Sequence, residues 1–287
     1  MLVLEYSQIL LFATTLLVAL AFVAYVLVTF TAWRMRNRSV AGNTAVSTQS
    51  KKRGSTWYAG AFVILAFVAL TLSMVLRWVA TGKVPLANQY EFATSFSWGM
   101  LLFQVYFDRQ YRVRTLALFT LPVILAMLIY ITRLSYENDP LMPALQNSPL
   151  LTLHVFTAAL SYGAAVVGFG AALMYLLAPK VTWRGWPKQE LLDEIAYKAV
   201  VITFPLLTIM IILGSIWANI AWGRYWAWDP KETAALVTWL IYGAYLHARV
   251  VRDWRGTKAA WLLVIGFIAI IFTFFGNYWF GGLHSYA

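Results

Sequence analysis

Residues 217–249 read WANIAWGRYWAWDPKETAALVTWLIYGAYLHAR and stand between two long apolar runs. The stretch crowds Trp222, Tyr225, Trp226, Trp228 and Asp229 into eight residues and closes on His247, one of three histidines in the chain. It is too polar for an ordinary lipid-facing helix and too aromatic for an ordinary loop. A helix through 222–229 would set Trp222, Tyr225, Trp226 and Asp229 on one face by i, i+3, i+4, i+7 spacing. That predicts a shelf of indole and phenol with a carboxylate at one end, suited to a flat, apolar ligand with an anionic edge.

Working outward, the whole chain has the composition of a polytopic membrane protein. Of its 287 residues 61% are hydrophobic and 11% charged, which no ordinary soluble fold needs. The net charge of +11 would suit nucleic acid, but the basic residues fall in short loops between apolar runs, as topology signals do, and argue against it. With no cysteine in the chain, any thiol chemistry must use the thiols of a substrate.

The fold class expected is therefore all-α and polytopic, with eight transmembrane helices. Residues 2–33 are apolar, with no basic residue before them and Arg34, Arg36 and Arg38 after them, which predicts a retained first span rather than a signal peptide. Residues 34–56 are basic and rich in Gly, Ser and Thr, and read as a flexible cytoplasmic linker. The first span and linker (1–56) thus precede a seven-helix core (57–287) that carries the Trp-rich segment 217–234. Its spans lie near 57–79, 90–107, 115–132, 153–178, 198–217, 235–250 and 259–280, each about the 20 residues that cross roughly 30 Å of hydrocarbon. With both termini outside, 17 of the 22 Lys and Arg residues fall on the inner side and 5 outside, in keeping with the positive-inside rule. The Trp-rich segment then lies on the outer, periplasmic or lumenal, face.

Two outer loops carry more than connection. One leads into a span with Asn88 and Glu91 at its mouth, where a carboxylate at the membrane interface is tolerable. The other, residues 133–154, holds three prolines among scattered apolar residues, predicts a short interfacial helix between breakers, and delivers the chain to His154.

His154 and His284 are expected outside, beside the Trp-rich segment, and His247 near the inner end of its span. The plain reading of any one of them is an imidazole satisfied by a backbone carbonyl. Two outer histidines flanking an aromatic shelf point further, to axial ligation of haem iron, with Arg224 and Lys231 near enough for two propionates. Zinc fits less well, since two histidines with no cysteine and few outer carboxylates make a poor closed site. The tryptophans alone could be an interfacial belt, but a belt does not explain WDPKE. That run predicts a helix start, with Asp229 as N-cap, Pro230 at the first helical position and Glu232 at the third, so both carboxylates read as scaffold before acid or base. His247 within a span should face a bundle interior or pathway. A haem held there by two histidines would need a ligand from a partner protein.

WGRYWAWDPKE, followed by TW, YLHAR and GLHSYA, resembles the CcsA/ResC family of system II cytochrome c biogenesis, which belongs to the haem-handling proteins marked by a tryptophan-rich WWD motif. The likeness is close from about residue 150 to the end and looser at PLANQYEF. It implies a haem exporter and cytochrome c synthase formed with a CcsB/ResB-type partner. It further implies that His154 and His284 ligate an external haem b, that His247 ligates haem within the membrane opposite a partner ligand, and that Trp222, Gly223, Tyr225, Trp226, Trp228 and Asp229 cradle the external haem. In the implied reaction the two thiols of an apocytochrome CxxCH motif add across the haem vinyls, and its histidine displaces one axial ligand. The catalytic set His154, His284 and Asp229 would then act by positioning more than by acid or base work. Two alternatives stand beside this: a CcmC-type haem carrier without synthase activity, and a transporter of another flat ligand.

Overall fold

In hydrocarbon every backbone N–H and C=O must find its partner within the chain, so apolar runs of this length close into helices. The computed structural model describes residues 2–41, 49–86, 88–137, 149–181, 185–276 and 280–283, with the backbone alone for residues 35–41 and 49–56. Among them are eight α-helices and no strand: α1 (Leu2–Ala41), α2 (Gln49–Thr81), α3 (Gln89–Tyr111), α4 (Ala117–Ile131), α5 (Pro149–Leu177), α6 (Gln189–Trp222), α7 (Pro230–Arg252) and α8 (Thr257–Phe275). The helical backbone runs into both ends of the expected linker, as far as Ala41 and again from Gln49. The interfacial helix expected between prolines falls on residues 138–148, outside the described residues, as does His284.

Seven of the helices, all but α3, are long and apolar enough to cross a membrane. The chain is an integral membrane protein. Helix α3 misses because it carries Gln89, Glu91, Ser95, Ser97 and Gln104, yet fourteen of its 23 residues are buried. Its polar groups are met inside the bundle: Gln104 pairs with Thr120 on α4, and Ser95 and Ser97 bond back to carbonyls of their own helix. The other helices shield α3, so its sequence need not be apolar.

Successive helices alternate in direction. One end of the bundle holds the last turns of α2, α4, α6 and α8 and the first turns of α1, α3, α5 and α7; the far end holds the opposite termini. Helices α3 and α5 cross backbone on backbone. A Cβ at Gly99 would collide with the carbonyl of Ala159, and one at Gly163 with the backbone of Gly99, so both positions require glycine for this approach. Helix α5 is then tied to α6 by Ser161 Oγ donating to the Thr203 carbonyl at 3.0 Å.

Two ion pairs brace the ends. Arg77 on α2 donates to Glu91 on α3 at 2.7 Å with both side chains buried, and its Nη1 donates to the Tyr136 carbonyl at 2.8 Å. Glu91 is therefore an interior carboxylate, tolerated because a guanidinium faces it rather than because it lies at an interface. At the far end Arg249 forks onto Asp193, Nη1 to Oδ1 at 2.9 Å and Nη2 to Oδ2 at 2.6 Å, and lies over the Tyr197 ring.

Candidate functional site

Helix α6 stops at Trp222 because Gly223 takes a left-handed conformation (φ 74) and its N–H caps the Asn219 carbonyl, the usual glycine terminator. Residues 223–229 are not helical. The predicted one-faced shelf is thus corrected: the chain turns at Gly223, and the aromatic residues diverge. Trp222 packs edge-on against buried Trp217, centroids 4.7 Å apart. Tyr225 and Trp228 stand on the surface, 59% and 70% exposed. Trp226 points inward, with Trp228, at φ 57, edge-on to it.

The helix start at DPKE forms as read. Asp229 is the N-cap of α7 and makes a capping box with Glu232. Glu232 Oε2 accepts from the amides of Ala227 at 2.8 Å and Asp229 at 3.2 Å, so it pins the aromatic segment as well as the helix. Asp229 Oδ2 accepts from the Lys231 amide at 3.1 Å, and Oδ1 accepts from the Leu283 amide at 2.6 Å. The second bond was not legible in the sequence. It ties the chain after α8 to the WDPKE corner, one residue before His284. Gly282 permits this approach, because a Cβ there would collide with Asp229 Oδ1 and lie 2.9 Å from Pro230 Cδ.

Beneath Trp226 opens a cleft with a cavity volume of about 110 Å³. Helix α3 lines it with Gln89, Phe92 and Phe96, and α5 with His154, Val155, Ala158 and Tyr162. Helix α6 contributes Met210, Gly214, Ser215 and Trp217; α7 adds Lys231, Glu232 and Ala235; α8 adds Thr273 and Phe274. From His154 to Tyr162 is two turns of α5, so the cleft runs about 12 Å down the bundle at 1.5 Å per residue. Phe96 packs against both Tyr162 and Phe274 at the bottom.

His154 is held with care. Its Nδ1 lies 2.7 Å from the Met210 carbonyl, and since a carbonyl only accepts, Nδ1 carries a proton, which in the neutral ring leaves the lone pair on Nε2. A neutral imidazole fixed by its second nitrogen is the standing arrangement of metal-ligating histidine. The ring fits because α6 has glycine beside it: a Cβ at Gly214 would lie 2.6 Å from His154 Cε1 and 2.7 Å from Nδ1. Nothing in the sequence singled out Gly214 or Met210; a lone glycine in an apolar span was the one trace.

His247 lies elsewhere. Thr238, Tyr242 and Tyr245 are buried and Arg249 pairs with Asp193, so that face of α7 looks into the bundle. Leu240, Ala244, His247 and Val251 form the opposite, exposed stripe. The expectation that His247 faces an interior is corrected: the Arg249 fork sets the rotation of α7 and turns the imidazole outward. Arg224 is also exposed, whereas Lys231 lines the cleft.

The cytochrome c assembly protein family matches residues 86–284. A cytochrome c biogenesis protein CcsA from Guillardia theta is 36% identical over 266 residues, covering 82% of this chain and 88% of the relative. The CcsA of Gloeobacter violaceus is 32% identical, covering 77% and 84%. Among solved structures, the cytochrome c heme lyase CcmF shares the fold, with a TM-score of 0.67 at 18% identity over 95% of this chain; the chain spans 46% of that protein's length.

Proposed function

Because the chain belongs to the cytochrome c assembly protein family, with CcsA-type proteins as its relatives, we propose that it holds haem b in the cleft as substrate for covalent attachment to apocytochrome c. The observation that carries this reading is His154, fixed through its Nδ1 on the Met210 carbonyl and lining an otherwise largely apolar cleft beneath Trp226. Haem supplies the iron that takes imidazole and the vinyls that take thiols. The protein's part is placement. His154, set by Met210 and given room by Gly214, offers one axial nitrogen, and His284, whose preceding residue is tied to Asp229, offers the other.

Tyr225 and Trp228 leave an exposed aromatic rim above the cleft, where an apocytochrome segment bearing CxxCH could stack. Each thiol S–H adds across one vinyl, the proton going to carbon and sulfur to the other carbon, so no base or oxidant is consumed. Bringing both thiols to fixed vinyls is where the rate gain arises.

The outward imidazole of His247 supports the second half of the proposal. A ligand there cannot close its own coordination from within this bundle, and a CcsB/ResB-type partner docked on α7 would supply the opposite one. In this reading the cleft end faces the periplasm or lumen of a bacterial plasma or thylakoid membrane. Haem lyase activity would then belong to the two-protein complex.

The test is co-expression of the chain, a CcsB/ResB-type protein and an apocytochrome c reporter in cells with no other maturation system. Haem covalently bound to the reporter, lost in His154→Ala, is the expected result. Equal covalent haem in His154→Ala would overturn the assignment.

A further inference from the structure

Two hydrogen-bond donors face the cleft with no acceptor among the described residues. Trp226 Nε1 is sealed from solvent and has no partner among the described residues, although buried N–H groups in folded proteins are nearly always bonded. Lys231 is the one Lys or Arg among the residues lining the cleft. Its Nζ sits 5.8 Å from the Phe92 ring centroid, and no described carboxylate lies within ion-pair distance of it.

The acids on either side of Lys231 are already engaged with backbone. Asp229 takes the amides of Lys231 and Leu283, and Glu232 Oε2 takes those of Ala227 and Asp229. An ammonium and an indole N–H facing one largely apolar cavity, with the nearby carboxylates spoken for, call for an anionic acceptor brought by the ligand.

We infer that Lys231 and Trp226 Nε1 form a carboxylate-binding corner of the cleft, which takes a propionate of the bound macrocycle and sets its in-plane orientation. The inference rests on the haem reading above and deepens it. Of the two cations in the aromatic segment, Lys231 and not surface-exposed Arg224 makes this contact. With the propionate edge held at the start of α7, the vinyl edge is turned away from that helix. The corner therefore decides which carbons meet the thiols, and a macrocycle lacking free carboxylates loses both affinity and orientation.

The experiment compares ferric haem with haem dimethyl ester, both propionates esterified, titrated into the full chain in nanodiscs. Binding is read from the Soret band that His154→Ala removes, which isolates the cleft from any other haem. Wild type should prefer the free acid about tenfold, the scale of one charge-assisted hydrogen bond. Lys231→Met should bind acid and ester alike, and Lys231→Arg should restore the preference. Trp226→Phe, which keeps a ring and loses the N–H, should cut the preference a few-fold.

Equal binding of acid and ester by wild type, or a full preference surviving in Lys231→Met, would overturn the inference while leaving haem binding intact. Absence of any His154-dependent band for either compound would instead overturn the haem reading, and this inference with it.

Discussion

At the level of single residues the site depends on two glycines as much as on its histidine. Gly214→Ala puts a methyl 2.6 Å from His154 Cε1, so the imidazole must leave the Met210 carbonyl. Haem occupancy of the cleft should fall at least tenfold while the melting temperature of the purified protein moves by only a few degrees; unchanged occupancy would contradict the role given to His154. Gly282→Ala separates the two duties of Asp229. It disrupts the tie to Leu283 and leaves the helix cap intact, whereas Asp229→Ala loses both, the cap alone being worth about 1 kcal/mol. The expected outcome for Gly282→Ala is a shift of bound haem from low spin to high spin at nearly constant stability. Equal destabilisation in the two variants would make the tie a general brace rather than a means of placing His284.

At the level of elements, the α3/α5 crossing sets the width of the cleft, since Phe96 stands one turn from Gly99 and Tyr162 immediately precedes Gly163. Gly99→Ala or Gly163→Ala forces backbones apart and should cost about 1–3 kcal/mol, the range for overpacking, seen as a lower thermal midpoint. Gly60→Ala is the control. Its Cβ would meet nothing nearer than Tyr25 Oη at 3.9 Å, and a helix-interior glycine replaced by alanine gains about 0.5–1 kcal/mol. A similar drop in all three would dissociate stability from the crossing. Helix α3 also shows why hydropathy misjudges an inner helix: hydropathy measures fitness for lipid, and most of α3 meets protein.

For the whole molecule, the absence of native cysteine makes single-cysteine labelling free of background. Ser135→Cys at the cleft end and Lys188→Cys at the far end, both exposed, should react with a membrane-impermeant thiol reagent from opposite sides of sealed vesicles, Ser135→Cys from the periplasmic or lumenal side. Labelling of both from one side would break the alternating arrangement. His247 belongs to this scale too, because its stripe on α7 is complete only in an assembly. His247→Ala should leave cleft haem unchanged in the chain alone and remove the fraction of low-spin haem that appears only when a CcsB/ResB-type partner is added.

The sequence by itself determined that the chain is a helical membrane protein, roughly where its spans lie, that α7 begins with a capping box at Asp229, and which family it resembles. These properties are local: they follow from apolar length, from i to i+3 spacing and from an unbroken motif, none of which needs a distant residue. What only the tertiary structure decided are the features made by residues far apart in the chain. Gly223 ends α6 and scatters the aromatic residues, Trp226 alone among them turning into the cleft. Glu91 finds Arg77, His154 finds Met210 and the gap at Gly214, and Asp229 catches the Leu283 amide. The Asp193 to Arg249 fork rotates His247 outward. In each case the outcome rests on which backbone carbonyl, guanidinium or missing Cβ arrives opposite a side chain, and helix packing, not spacing along one helix, brings those together.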